Sequence, residues 1–333
     1  MKRASIGTFE KTPLEPAFRA RNTSVMTTLL ITHAACLAHE TPPGHPERSD
    51  RLRAVLQALD GEPFQDLARE EAPRASIEDV ARAHPRAHIE ALLARVPEQG
   101  FERIDGDTAL SPGSGEAALR AAGAVMHGVD QVVAGNVQNA FCAVRPPGHH
   151  AEPEMAMGFC LFNNVAIAAL YAREKHGLQK AAIVDFDVHH GNGTQAIFES
   201  DPDVLYISTH QSPLYPGTGG VEETGVGNIL NIPLGEGTGG EAFRAVFTGE
   251  VLPALQAFSP DILFISAGFD AHADDPLAGL NLNEADYSWA TQQLMRVASN
   301  VCNGRIVSTL EGGYDLEALA HSASAHVRAL MGI

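Results

Sequence analysis

The sequence has few cysteines, few cationic residues and no long apolar run. Its four cysteines, Cys36, Cys142, Cys160 and Cys302, are too widely separated for a compact disulfide scaffold or a zinc knuckle. Lys and Arg number 23 against 41 Asp and Glu, and the net charge of −18 argues against a nucleic-acid-binding surface. The apolar stretch "TTLLITHAACLA" is interrupted by His33 and is shorter than the roughly 18 residues of a membrane span. We therefore expect a soluble, cytoplasmic protein with reduced thiols and no nucleic-acid or membrane partner.

Residues 1–25 differ from the rest of the chain. They lack the apolar segment of a secretory signal, and Glu10 and Glu15 disfavour a transit peptide. We predict that they form an N-terminal extension. Residues 26–333 are predicted to form one domain, because no repeat or polar linker divides them and a hydrophobic content of 44% suffices for a large core.

Short apolar segments alternate with helical patterns along this domain. Four apolar segments end in glycine, proline and polar side chains: "AFCAVRPPGHH", "AAIVDFDVHHGNG", "DILFISAGFDAH" and "RIVSTLEGGYD". The alternation indicates βαβ units around a mainly parallel sheet that is buried on both faces. Because ligands of such sheets bind at the carboxyl ends of the strands, we expect all four clusters to face one cleft.

The segment "VDFDVHHGNG" has the side chains of a cation site. In an extended chain, Asp185, Asp187 and His189 share one face, and the apolar residues between them share the other. Two carboxylates and an imidazole suit a divalent cation, with Asp270 as a candidate for a further ligand and one position left for water. Aspartates after strands also cap helices or stabilise turns, but the other three clusters favour the cation site. Asp185 is then expected to hold a histidine or a monovalent cation.

Two other clusters offer groups for acid and base catalysis. His149 and His150 follow a Pro-Pro-Gly turn that could present both imidazoles to the cation, and a surface pair without function is an equally open alternative. Tyr314 follows two glycines whose freedom at positive φ would bring its hydroxyl over a cleft. A tyrosine in this position is more often part of the core or the rim.

Five segments resemble, in order, the histone deacetylase and acetylpolyamine amidohydrolase family. They are "RPPGHHAEPEMAMGFCLFNN", "VDFDVHHGNGTQAIF", "ISTHQSPLYPGTG", "SAGFDAHADDPLAGLNL" and "LEGGYDLEAL", and "HPERSDRLRAV" precedes them. The resemblance covers nearly everything after Met26. It implies an arginase-like α/β fold whose central, mostly parallel sheet of about eight strands is flanked by helices.

The resemblance implies a zinc-dependent amidohydrolase that removes acetyl or related acyl groups from amines. One Zn²⁺ per chain would bind to Asp187, His189 and Asp270, polarise the acyl carbonyl and lower the pKa of a bound water. Asn192 stands where some relatives have aspartate, which indicates the class II branch and gives the acid-base an amide partner without negative charge. His150 is implied to be the general acid-base, with the amide of Asn192 behind it, and His149 is its implied electrostatic partner. Asp185 is implied to orient His149. Tyr314 is implied to donate to the oxyanion.

Substrate contacts and a second cation are implied in the same way. Leu277 stands where a polyamine-specialised branch has glutamate, and an apolar rim offers no counter-charge to a distant ammonium. Arg51 resembles a loop arginine beneath the site. The residues implied to line an acyl-lysine tunnel are Gly158, Phe159, Tyr215 and Leu277. The residues implied to surround a K⁺ ion are Asp185, Asp187, His189, Ser208 and Thr209.

Three alternatives remain beside an acyl-lysine or small acyl-amine deacetylase. An acetylpolyamine amidohydrolase is the nearest, and Leu277 argues against it. A non-catalytic acyl-lysine binder would have lost a ligand, a histidine of the pair or the tyrosine, and all of these are present. A two-metal ureohydrolase needs more bridging carboxylates where His190 and Asn192 stand. The sequence leaves the oligomeric state open.

Overall fold

The computed structural model describes residues 27–333. The predicted N-terminal extension, residues 1–25, lies outside the described residues, and the predicted domain boundary stays a prediction. Within residues 27–333, no helix has both the length and the apolar character required to cross a membrane.

Eight strands form the central sheet. They are, in chain order, β1 (Thr28–Thr32), β2 (Ala68–Glu71), β5 (Asn139–Cys142), β6 (Ala181–Asp185), β7 (Val204–Gln211), β8 (Ile229–Leu234), β9 (Ile262–Ala267) and β10 (Ile306–Leu310), while β3 (Glu102–Arg103) and β4 (Ala109–Leu110) form a separate antiparallel pair. The spatial order is β2-β1-β5-β10-β9-β6-β7-β8, and every neighbouring pair in this sheet is parallel. The prediction of an α/β fold with about eight mostly parallel strands is therefore confirmed.

Ten α-helices connect and flank the strands. They are α1 (Ser49–Leu59), α2 (Ile77–Val80), α3 (Arg86–Ala94), α4 (Ser114–Ala134), α5 (Asn164–His176), α6 (Asn192–Phe198), α7 (Gly240–Val246), α8 (Leu252–Phe258), α9 (Glu284–Val301) and α10 (Leu316–Met331), all within residues 27–333. Helices α4 and α5 pack on each other and on the sheet, and α10 packs against α1 and α9. Every residue of β5, β6, β9 and β10 is buried, so both faces of the sheet are covered at its centre.

The strand order brings the four polar clusters to one edge of the sheet. β10 lies between β5 and β9, and β9 pairs with β6. All four strands run in the same direction, so the segments that follow their carboxyl ends are neighbours. β6 ends at Asp185, earlier than expected for an extended chain that continues to His189. The ligand candidates after Asp185 therefore lie in the loop beyond the strand.

Close packing of α4 generates a test of the fold. A Cβ atom on Gly123 would lie 2.0 Å from the backbone oxygen of Pro73, whereas one on Gly115 of the same helix would meet only side-chain atoms, at 3.2 Å and beyond. We expect Gly123→Ala to lower the free energy of unfolding by about 1–3 kcal/mol or more, because a backbone carbonyl cannot move aside cheaply. Denaturant titration measures this change. Gly115→Ala is the control, and equal stability of the two variants would contradict the packing described here.

Candidate active site

Three side chains at the carboxyl edge of the sheet form a candidate metal centre. The Nδ1 atom of His189 lies 3.1 Å from Oδ1 of Asp187 and 3.0 Å from Oδ2 of Asp270. Within residues 27–333 this is the one group of three potential ligands whose ligand atoms all lie within 4.8 Å of one another. Bonds of about 2.0–2.1 Å to a tetrahedral cation would separate ligand atoms by roughly 3.3 Å, close to the observed spacing. The donor set and its spacing therefore fit a small divalent cation.

Backbone N–H groups hold the two carboxylates in place. Gly312 N–H donates to Oδ2 of Asp187 at 2.8 Å, and Val188 N–H donates to Oδ1 of Asp270 at 2.9 Å. Each carboxylate thus keeps its other oxygen directed towards His189. Because Gly312 has no side chain, its backbone can approach both carboxylates: a Cβ atom there would lie 2.1 Å from Oδ2 of Asp270.

The pKa values of His189 and Asp270 reflect two buried carboxylates in contact with one imidazole. Burial lowers the pKa of His189, but hydrogen bonds to Asp187 and Asp270 outweigh it and raise this pKa to about 10. Burial, followed by the charge of Asp187, raises the pKa of Asp270 to about 7. The two carboxylates repel each other and require positive charge between them, which a protonated imidazole or a bound cation supplies.

The two adjacent histidines lie beside the candidate metal centre in different environments. Nδ1 of His149 contacts Oδ2 of Asp185 at 3.0 Å. Burial lowers the pKa of His149, but the charges of Asp185 and Asp187 outweigh it and raise this pKa to about 10. For His150, burial and then repulsion from His149 and His189 hold the pKa well below its usual value. A neutral His150 next to a cationic His149 is an arrangement suited to base catalysis.

Tyr314 is held by a buried arginine. The Arg51 guanidinium lies 4.8 Å from the centre of the Tyr314 ring, and it donates to the backbone oxygens of Glu311 at 2.6 Å and Gly313 at 2.5 Å. Arg51 belongs to α1 and is completely buried, so it supports the segment that carries the tyrosine. Gly313 has φ of +118°, a conformation that glycine adopts without strain.

Glu311 connects this segment to the histidine pair. Its side-chain Oε2 accepts the N–H groups of Gly148 at 2.7 Å and His149 at 3.2 Å, and its Oε1 accepts from Ser266 at 3.1 Å. Burial raises the pKa of Glu311 to about 7. One buried carboxyl group on the segment after β10 therefore connects the segment that follows β5 to β9 itself.

A cavity of about 220 Å³ leads to this centre. A Cβ atom on Gly158 would lie 2.5 Å from the His150 ring, so glycine at this position lets the cavity wall approach the histidine. The Tyr215 ring lies edge-on to His150, with centroids 5.1 Å apart, and the side chain is 38% exposed. The lining residues are Asp107, His150, Gly158, Phe159, His189, Leu214, Tyr215, Leu277 and Tyr314, which include all four residues implied to line a substrate tunnel.

Sequence reasoning missed two of the lining residues. Leu214 precedes Tyr215 in "SPLYPG", and this proximity was an available signal. Asp107 lies in the loop between β3 and β4, far in sequence from the other lining residues, and no motif pointed to it. Leu277 therefore shares the lining with an acidic residue, and the expectation of a rim without counter-charge stays a prediction.

Two of the residues implied for K⁺, Asp187 and His189, belong to the candidate metal centre, and Asp185 contacts His149 beside it. Ser208 on β7 is the register partner of Asp185 on β6, and its hydroxyl lies 2.9 Å from Nδ1 of His210. The buried hydroxyl of Thr209 has no hydrogen-bond partner in the described part of the chain. The potassium site stays a prediction.

The chain belongs to the histone deacetylase family, because the family model described as "Histone deacetylase domain" matches residues 45–330. "Histone deacetylase 14, chloroplastic" of Arabidopsis thaliana is 40% identical, over 97% of this chain and 80% of its own length. "Histone deacetylase-like amidohydrolase" of Pseudomonas aeruginosa is 38% identical, over 87% and 78%. The solved structure of the HDA15 HD domain superposes with a TM-score of 0.88 at 38% identity, covering 93% of this chain and 89% of that one. The predicted family is confirmed, and the protein is a hydrolytic deacetylase.

The geometry of Gly312 generates a test of the metal centre. We expect Gly312→Ala to weaken binding of a divalent cation at least tenfold, because the new methyl group would displace both ligand carboxylates. Competition with a chromogenic chelator measures the affinity. Gly249→Ala is the control, since a Cβ atom there meets nothing within 4 Å. Unchanged affinity of the Gly312 variant would show that the cation binds elsewhere.

Proposed function

We propose that this deacetylase is zinc-dependent and removes acetyl or related acyl groups from lysine side chains or small acylated amines. The observation that carries the proposal is that two groups of side chains meet at one cavity. The first is the candidate metal centre formed by Asp187, His189 and Asp270. The second is the pair of His150 and Tyr314, which line the cavity beside His189.

Zn²⁺ at this centre would supply a Lewis acid for the acyl carbonyl and would lower the pKa of a bound water. His150, held neutral by its surroundings, accepts the proton of the attacking water and returns a proton to the leaving amine. His149 stays cationic beside it, because Asp185 and Asp187 favour its charged form. This positive charge stabilises the anion that develops on the substrate.

Tyr314 is the proposed donor to the oxyanion. Burial raises the pKa of its hydroxyl well above the usual value, so the group stays protonated and able to donate. Arg51 and the backbone contact from Tyr314 N–H to Asp275 at 2.7 Å fix the segment before the reaction begins. A donor fixed in advance stabilises charge without reorganisation at the moment of reaction.

The lining of the cavity favours an aliphatic chain as the part of the substrate next to the acyl group. Phe159 and Tyr215 supply aromatic walls, and Leu277 adds an apolar contact. These features suit the methylene chain of lysine. Asp107 favours the second candidate, an acetylpolyamine, since its carboxylate could pair with a distant ammonium. A non-catalytic acyl-lysine binder is disfavoured, because every group that the reaction needs is present.

Two side chains carry the test of the reaction. We expect His150→Ala to lower kcat by about 10²–10⁴-fold through loss of the proton acceptor, and Tyr314→Phe by about 10²–10³-fold through loss of the oxyanion donor. KM should change little in both. Steady-state hydrolysis of a fluorogenic acetyl-lysine amide by the zinc-loaded protein measures these values. His127→Ala and Tyr171→Phe are matched controls, because neither residue lines the cavity. Wild-type rates in the first two variants would overturn the mechanism.

The lining of the cavity decides between the two substrate classes. We expect Leu277→Glu to raise kcat/KM for acetylspermidine relative to an acetyl-lysine peptide by about tenfold, because the new carboxylate could pair with a distant ammonium. A tenfold change corresponds to roughly 1.4 kcal/mol. Asp107→Asn should lower the same ratio, and Asp66→Asn on the exposed surface should leave it unchanged. A wild-type protein that already prefers acetylspermidine would make the polyamine the better assignment.

A further inference from the structure

We propose that Glu152 is a positioning residue that sets the tautomer of His150 through the side chain of Asn192. The inference deepens the proposed function and rests on it, since it concerns the same proton acceptor. It explains how His150 is oriented although its hydrogen-bond partner, Asn192, is a neutral amide and not a carboxylate.

Three side chains form a continuous chain of hydrogen bonds. Nδ1 of His150 lies 2.8 Å from Oδ1 of Asn192, and Nδ2 of Asn192 donates to Oε1 of Glu152 at 2.7 Å. His150 and Asn192 are both buried, which strengthens the contact between them relative to water, and Glu152 is half-buried. Asn192 itself begins α6, so its backbone position is fixed by a helix.

The chemistry of these groups permits a single donor order. An ionised carboxylate only accepts hydrogen bonds, so the side of Asn192 that faces Glu152 must be its NH₂ group. The thioether of Met157 lies 3.3 Å from the same nitrogen and is also an acceptor. The amide oxygen must then face His150, and Nδ1 of the imidazole must carry the hydrogen. Nε2 is left with its lone pair, which is the form that a proton acceptor requires.

The position of Glu152 is fixed by its own backbone. Its N–H donates to the carbonyl oxygen of Met155 at 2.9 Å, which closes a tight turn. The carbonyl oxygen of the next residue, Pro153, lies 3.1 Å from Nδ1 of the buried His84. These contacts hold the backbone of Glu152 next to Asn192. The Glu152 carboxylate therefore supplies the negative charge that Asn192 lacks, one side chain further from His150.

The first experiment compares two neighbouring glutamates on the zinc-loaded protein. We expect Glu152→Gln to lower kcat by about 10–100-fold with little change in KM, because either end of the new amide could face Asn192 and the tautomer of His150 would no longer be specified. Glu154→Gln, two residues away and exposed, is the matched control and should keep wild-type kcat. Wild-type kcat in the Glu152 variant would overturn the proposal.

A charge swap separates positioning from a merely structural role. In Glu152→Gln combined with Asn192→Asp, the amide at position 152 can donate to the carboxylate at position 192, which accepts from Nδ1 of His150. We expect this double variant to recover kcat to within about threefold of wild type, whereas Asn192→Asp alone places two carboxylates in contact and lowers kcat. A double variant no faster than Glu152→Gln would contradict the proposed order of donors.

A third measurement does not depend on turnover. Nitrogen-15 NMR of labelled histidines, with His150→Ala for assignment, reports which ring nitrogen carries the hydrogen. We expect Nδ1–H in the wild type and a mixture of tautomers in Glu152→Gln. Nε2–H in the wild type would overturn the proposal. A wild type that hydrolyses no acylated amine but shows Nδ1–H would refute the proposed function and leave the positioning of His150 supported.

Discussion

The structure depends on how it accommodates buried negative charge at one edge of its sheet. Asp185, Asp187, Asp270 and Glu311 are all completely buried, and an unpaired carboxylate in such a place would be severely destabilising. Each of them accepts backbone N–H groups, side-chain hydroxyls or imidazole contacts, as described above. The partners that satisfy these carboxylates are the same groups that define the candidate active site. The same contacts therefore stabilise the loops and position the candidate active-site residues.

The parallel sheet makes this solution possible. Four adjacent strands, β5, β10, β9 and β6, deliver the ends of four sequence-distant segments to one place. Contacts between the segments then lock them, with Glu311 connected to Gly148 and His149, and Arg51 connected to the backbone around Gly313. A reacting group on any one segment is therefore held by its neighbours, which is the preorganisation that electrostatic catalysis requires.

Local patterns account for what the sequence predicted well. Alternating strands and helices, and polar clusters after apolar runs, predicted the sheet and the meeting of Asp187, His189 and Asp270, because both follow from the topology of parallel strands. Tertiary packing accounts for what it missed. The end of β6 at Asp185, the presence of Asp107 in the cavity lining and the contact between Glu152 and Asn192 depend on distances between loops, which no local pattern specifies.

The most direct test of the central claim is zinc K-edge X-ray absorption spectroscopy of the zinc-loaded protein. We expect one zinc per chain with a single imidazole nitrogen, carboxylate oxygens and no sulfur, at bond lengths of about 2.0–2.2 Å. Asp270→Ala should remove one oxygen ligand or abolish binding. A zinc–sulfur distance of about 2.3 Å, or a coordination shell with two or more imidazoles, would place the ion elsewhere and contradict a site formed by Asp187, His189 and Asp270.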